Sequence, residues 1–284
     1  MLNGYKNPKI LSSEFYKLDN QLQTRINFWN QYGQNSIGYG EVLKSILLDK
    51  YENMIDIGCG NARYSSTFLN NVVREATFLD LSEDMLTSTQ KNVANIDAKP
   101  SVIFYHQENF LTAKLKKNYY DLVVAMHVLQ HVDDIYAGLE KLKEILADNG
   151  TVLITTYNNT LSDWLNQKHY HLLKELEFPT RMLDKKMYLT FSGNHARKIL
   201  SEVFNTFEET HYKNDAIVDK VEDLMTYYKS SMMYRMSEGR QSKDISEQQW
   251  QKLETRMYQE LSKEIALSGK ITVEGRVQIF KVCK

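Results

Sequence analysis

Between residues 50 and 157, short apolar runs alternate with segments of helical spacing, a pattern that predicts βαβ units closing a parallel sheet. The runs are NMIDIG (53–58), ATFLDL (76–81), VIFYHQE (102–108), DLVVAMHV (121–128) and TVLITTY (151–157). Helical punctuation lies between them. Ser82 reads as an N-cap, followed by Glu83 and Asp84 in a first turn where negative charge suits the dipole. The 136–147 segment puts Leu139, Leu142, Ile145 and Leu146 on one face and predicts a helix stopping at Asn149–Gly150.

After Tyr157 the pattern changes. A helix is predicted over 160–176, then an irregular FPTRMLDKKMYLT, then a helix over 194–204 with Ile199, Leu200, Val203 and Phe204 on one side. TFEETHYKN (206–214) predicts a sixth strand. About 50 residues of helix follow, with one apolar stripe of Ile217, Val221, Leu224, Met225, Tyr228 and Met232 and another of Trp250, Leu253, Met257, Leu261 and Ile265. The closing KITVEGRVQIFKVCK alternates at Ile271, Val273, Val277 and Ile279 around Glu274–Gly275, which predicts a last strand or a small hairpin.

Composition narrows the class. The chain has 284 residues, 42% hydrophobic and 25% charged, which is ordinary for a globular α/β protein with room for a large insertion. A net charge of −1 supplies no basic field for phosphate backbones or anionic lipid, and Lys114, Lys116 and Lys117 read as a solvated loop. No stretch of 18 apolar residues occurs, and the opening segment lacks an apolar run of signal-peptide length, so the expectation is a cytoplasmic protein without a membrane partner. Cys59 and Cys283 sit in no metal-ligand spacing, and neither metal nor disulfide is expected.

The most informative stretch is MIDIGCGNARYS (54–65): a strand carrying Asp56, then Gly58-Cys59-Gly60, then the expected start of a helix. Glycines at such a turn allow a tight bend and let a ligand lie against bare backbone. The second strand ends in Asp80, 20 residues beyond Gly60, where a carboxylate on the neighbouring strand can accept both hydroxyls of an adenosine ribose. The alternative is that Asp80 only caps the following helix. The position of a third close glycine is Ala62 or Arg63, and the charge of Asp56 opposes a pyrophosphate but suits an ammonium, so the pattern favours S-adenosylmethionine over a dinucleotide.

These segments, with FLDLSEDML (78–86), ENF (108–110), YYDLVVAMHVLQHVDD (119–134) and LKEILADNGTVLITTYN (142–158), resemble the class I S-adenosylmethionine-dependent methyltransferases of the stand-alone bacterial small-molecule type, from about residue 22 to the C-terminus. The resemblance implies a Rossmann-like, mostly parallel seven-stranded sheet with helices on both faces, its last strand antiparallel, and a helical cap. It makes the 206–214 and 271–282 runs strands six and seven. It also implies cofactor contacts from Asp56, Gly58, Cys59, Gly60 and Asp80, an adenine-side wall from Leu81 and Met85, and an amino-group contact at Asn109–Phe110, where the family often has Asp. Met126 and His127 fall opposite the glycine loop, where the sulfonium and acceptor meet, and His127 and Tyr157 are the candidate bases for a hydroxyl acceptor. RINFWNQYGQNSIGYG (25–40) resembles the segment that folds over the cofactor, with Arg25 and Tyr32 closing the methionine end, or it is an ordinary docking helix.

The expected organisation is an N-terminal helical segment (1–50) covering the cofactor, a methyltransferase core (51–157, 191–214 and 269–284) and two substrate-lid insertions (158–190 and 215–268). The expected partner is a small molecule rather than nucleic acid, and the oligomeric state stays open. A nucleic-acid or protein methyltransferase would share the cofactor motifs but should show a basic face, and a non-catalytic regulator remains a third reading.

Overall fold

The computed structural model describes residues 20–47, 49–158, 164–179, 190–231, 233–234 and 245–283. Two helices, α1 (Asn20–Tyr32) and α2 (Tyr39–Ile46), precede β1 (Tyr51–Ile57). A 3₁₀ segment (Ser65–Asn71) leads into β2 (Val72–Asp80), and α3 (Glu83–Ala94), β3 (Val102–Gln107) and β4 (Tyr120–Met126) follow. After a short 3₁₀ turn (Leu129–His131) come α4 (Ile135–Ile145), β5 (Leu146–Tyr157), α5 (Trp164–Glu175) and α6 (Gly193–Val203). The remainder is β6 (Phe207–Lys213), β7 (Ala216–Val218), α7 (Val221–Ser230), α8 (Glu247–Ser268), β8 (Ile271–Val273) and β9 (Arg276–Cys283).

The main sheet has seven strands in the order β3-β2-β1-β4-β5-β9-β6, parallel except for β9, which runs antiparallel to both neighbours. Central β1 and β4 are buried along nearly their whole length, as strands covered on both faces must be, and their apolar runs carry no alternation. The edges differ: β6 presents Glu208 and Lys213, charges that blunt an open strand edge. One face of the sheet packs against α4 and α6 through Leu139, Leu142, Ile199 and Leu200. The other packs Phe68, Leu69, Phe78 and Leu86 with Leu43 of α2. The Ser82 N-cap forms as expected, its hydroxyl accepting from the Met85 N–H at 3.3 Å.

A second core stands beside the sheet. Phe28 of α1, Leu172 of α5, Leu224 and Tyr228 of α7, and Trp250, Leu253, Met257 and Leu261 of α8 pack together with Val218 and Ile271 of the separate β7-β8 pair. A capping box at Ser246–Gln249 starts α8, and Gly269 in the left-handed region ends it.

Four expectations need correction. The segment after the glycine loop is a 3₁₀ turn rather than an α-helix, because Ala62 takes φ +53° and keeps the chain turning. The α4 helix ends at Ile145 and the chain enters β5 directly, so Asn149–Gly150 lies within the strand. Ile217 belongs to β7, where Ala216 and Val218 are buried with strand periodicity, and the helical stripe begins only at Val221. Ile271–Val273 pairs with β7, so the seventh strand of the main sheet is Arg276–Cys283 alone. Met232 and the predicted helical residues 160–163 lie outside the described residues.

Candidate active site

Parallel strands place their carboxyl ends along one rim, and the loops that leave β1 and β4 diverge there, opening a crevice at the point where strand order reverses. A cavity of about 970 Å³ occupies this crevice. Its floor is the glycine loop. The β1–β2 ladder continues into it, the N–H groups of Gly58 and Cys59 donating to the Leu79 carbonyl at 2.7 and 3.1 Å. Gly58 has φ +62°, and a Cβ there would lie 2.4 Å from Val128 Cγ2, so only glycine fits. Gly60 has φ +55° and nothing within 4 Å of its Cβ position, which leaves bare backbone facing open space.

Asp80 accepts from the Gly60 N–H and the Ser82 N–H, each at 2.9 Å, and so ties the loop of β1 to the loop of β2. Burial raises its carboxyl above the ordinary carboxylate range, while the amides of Ser82, Gly60 and Leu81 pull the other way. Asp56 is more extreme. It is 1% exposed, neither carboxylate oxygen has a hydrogen-bond partner among the described residues, and burial pushes it up to about 7, with the nearby Ser65 hydroxyl partly opposing and the Asp80 charge adding. An orphaned buried carboxyl beside open backbone fits a ligand that carries a cation and hydrogen-bond donors. Cys59 is enclosed, its Sγ 3.7 Å from Thr89 Oγ1, and burial pushes its thiol up.

The adenine-side candidates Leu81, Met85, Asn109 and Phe110 all line the cavity. Asn109 Oδ1 accepts from the Leu111 N–H at 2.9 Å, an Asx turn that holds the loop after β3. At the end of β4, Met126 and His127 face the same space. His127 has φ +52°, a backbone conformation that costs about 1–3 kcal/mol for a residue with a side chain and persists where the surroundings enforce it. Its N–H donates to the Thr155 carbonyl at 3.0 Å, and its own carbonyl accepts from Gln130 Nε2 at 2.7 Å. Among the described residues its buried Nδ1 has no partner, and burial, with His131 adding, pushes the ring down to about 4.

Tyr157, from the end of β5, stacks on His127 with ring centroids 4.4 Å apart. Although 47% exposed, it lines the cavity, and the surrounding protein raises its phenol, with the Arg25 charge opposing. Arg25 reaches the cavity from α1 and donates to the Ser230 carbonyl of α7. Tyr32 does not line the cavity: two turns further along α1, its hydroxyl donates to Asp223 on the cap side.

Sequence reasoning passed over several residues that the fold brings here. Tyr39 from α2, Tyr64 after the glycine loop and Tyr212 from β6 form an aromatic cluster, with Tyr39 centroids 4.7 Å from Tyr64 and 5.0 Å from Tyr212. Arg63 lies over the Tyr64 ring at 5.1 Å and donates to Asn30 Oδ1 at 3.0 Å. The only trace of these in the sequence was density of tyrosine; no spacing joins residues 39, 64 and 212.

Comparison with known proteins agrees with the geometry. Residues 55–154 match the family described as "Methyltransferase domain". The ubiquinone biosynthesis O-methyltransferase of Hydrogenovibrio crunogenus is 24% identical over 170 residues, 58% of this chain and 67% of that one. Among solved structures, the YcgJ protein of Bacillus subtilis superposes with a TM-score of 0.55 at 11% identity, covering 86% of this chain and 97% of that one. An N-methyltransferase of Haemonchus contortus, solved with phosphomonomethylethanolamine and S-adenosylhomocysteine, gives 0.53 at 16% identity over 99% of this chain and 60% of its own. A seven-stranded sheet of this order, with a glycine loop and an acidic second strand at its rim, defines a methyltransferase fold. The matched domain, these relatives and the fold together support a class I S-adenosylmethionine-dependent methyltransferase, and an enzyme. Among the described residues no helix is long and apolar enough to cross a membrane, and no cluster of His, Cys, Asp and Glu could hold a metal ion.

Proposed function

We propose that this chain binds S-adenosylmethionine and transfers its methyl group to a small-molecule acceptor by in-line displacement. The observation that carries the reading is continuity: one cavity of about 970 Å³ runs from Asp56, Asp80 and the bare Gly60 backbone to the His127–Tyr157 pair. That volume lies near the top of the ~300–1,000 Å³ range of small-molecule sites, room for a nucleoside cofactor and a compact acceptor side by side.

The cofactor, when bound, supplies a methyl group already activated on a sulfonium. The residues that would hold it are Asp56, Gly58, Cys59, Gly60 and Asp80 along the glycine loop, Leu81, Met85, Asn109 and Phe110 around the base, and Met126 at the β4 end. With the donor already activated, the protein contributes alignment and exclusion of water. The cap supports both tasks, since Trp29, Leu165, Tyr227 and Met233 wall the cavity opposite the sheet. His127, lowered to about 4 by burial, is neutral at ordinary pH and is the residue we assign to take up, as a weak base, the proton released by a hydroxyl acceptor. Tyr157 keeps its phenolic proton under the same conditions and orients the acceptor rather than deprotonating it.

A small acceptor is favoured over nucleic acid by the roofed cavity and by the net charge of −1. Calorimetric titration with S-adenosylmethionine and, separately, NADH tests the reading on wild type and Asp80→Ala. Micromolar binding of the sulfonium compound alone, lost in the variant, is the expected result. Binding of NADH instead, or of neither, would overturn it.

A further inference from the structure

The far end of the cavity differs chemically from the glycine loop. A chain of rings crosses it: Tyr64 to Tyr39 at 4.7 Å, Tyr39 to His127 at 6.3 Å, and His127 to Tyr157 at 4.4 Å. An arginine stands at each end. Arg63 packs over Tyr64, beside the glycine loop, and its charge also reaches Tyr212. Arg25 stands at the Tyr157 end, and its described hydrogen bond goes to a neutral carbonyl, that of Ser230. Among the described residues neither guanidinium forms an ion pair with a carboxylate. The third arginine on the cavity wall, Arg276, is already matched by Asp215 and, at 4.0 Å, by Glu274.

A guanidinium has five N–H donors, and one bond to a neutral carbonyl leaves most of them and the whole charge uncompensated. The methionine part of the proposed cofactor has a single carboxylate, and Arg63, three residues from Gly60, is the cation nearest in sequence to the loop that would hold it. Arg25 is then in excess. Its surroundings are flat and apolar: Trp29 and Tyr227, 5.9 Å apart and edge-to-face, wall the cavity on the cap side, and the His127–Tyr157 stack walls it on the sheet side. Aromatic faces with one fixed cation at their edge are complementary to a planar ring bearing an anionic substituent.

We infer that Arg25 anchors a carboxylate on the acceptor, which makes the substrate of this enzyme an aromatic carboxylic acid whose ring lies between the His127–Tyr157 pair and the cap residues Trp29 and Tyr227. The inference rests on the methyltransferase reading above and narrows it. In this arrangement Arg25 sets specificity and register, while His127 stays beside the ring substituent that receives the methyl group.

The test uses full-length protein saturated with S-adenosylhomocysteine and titrated calorimetrically with 4-hydroxybenzoate, 3,4-dihydroxybenzoate and indole-3-carboxylate, each paired with its primary amide. At least one acid should bind about tenfold or more tighter than its amide, the factor expected of one charge-assisted bidentate contact. Arg25→Gln should abolish that preference, and Arg25→Lys should retain part of it. Arg63→Gln should do the reverse, weakening S-adenosylhomocysteine and sparing the preference for acids. Normal S-adenosylhomocysteine binding with no acid preferred over its amide overturns the inference alone. So does an Arg25→Gln protein that loses S-adenosylhomocysteine but still prefers acids. Failure of the wild type to bind S-adenosylhomocysteine overturns the methyltransferase reading and this inference with it.

Discussion

The two ends of the cavity are built by different means. At the glycine loop the polar groups are backbone amides and two carboxyls, supplied by β1, β2 and the turns that leave them, all within residues 56–82. At the acceptor end the wall is made of side chains from α1, α2, β4, β5, β6 and α7, segments spread over 200 residues. The first end is local and rigid, and its ligand is recognised by bonds that any sequence with the right turn could make. The second is assembled only when the whole chain has folded, and each of its contacts depends on a particular side chain. Under the proposed function, affinity for the donor and selectivity for the acceptor become separable properties of one crevice.

That separation can be broken deliberately. The largest effect is expected in the cap core. Trp250→Ala removes a side chain only 4% exposed and should cost about 3–5 kcal/mol of stability, read by urea unfolding. If the two ends are independent, S-adenosylhomocysteine affinity near the glycine loop should change less than about threefold at temperatures where the variant is folded. A larger change would tie the ends together. Gly58→Ala attacks the other end, where φ +62° and the 2.4 Å approach to Val128 should together cost about 2–4 kcal/mol. Here S-adenosylhomocysteine binding should fall tenfold or more while the cap stays intact, as monitored by tryptophan fluorescence.

Acidity separates the ends with opposite sign. Asp56 is raised to about 7, so its contribution is most favourable below the unfolded carboxylate range and is lost as pH rises through 7. His127 and the cap residue His169 are lowered to about 4 and about 3. The unfolded chain then binds more protons, and their contribution is lost as pH falls below the ordinary histidine value of 6.5. Asp56→Asn should gain on wild type as pH rises from 5 to 8, and His169→Phe should gain on it in the opposite direction, as pH falls from 8 to 5. Parallel urea titrations at the two pH values decide the matter, and a pH-independent difference in either variant counts against the assigned group. The smallest effect belongs to Tyr32→Phe, which removes a hydroxyl bonded to Asp223 outside the cavity. It should cost about 0.5–1.5 kcal/mol and leave ligand binding unaltered.

What the sequence disclosed follows the same division. Strand periodicity, the Gly58–Gly60 turn and Asp80 were readable because each is a local pattern imposed by backbone geometry. Of the eleven further candidates named from motif positions, ten line the cavity, Tyr32 being the exception. The helix expected after Gly60 failed because positive φ at Ala62 is not written in residue type, alanine being the best helix former. Ile217 was absorbed into a helical stripe because three residues of strand are too few to set a period against the ten that follow. Tyr39, Tyr64 and Tyr212 were invisible for another reason: their meeting is a property of sheet order, which brings the β6 edge and α2 to the same rim.

The stacking of Phe28 on Tyr227, with centroids 4.0 Å apart, also fixes a timetable. These rings are about 200 residues apart, so at the usual ~5–20 residues per second of synthesis the apolar face of α1 waits some 10–40 s for its partner. During that interval the sheet strands through β5 can pair, since their contacts are short-range in sequence, but the cap core cannot form. The long loop that closes between α1 and α7 makes cap assembly the slow, late event of folding. A ribosome-bound intermediate should therefore acquire the glycine loop before it acquires anywhere to put an acceptor.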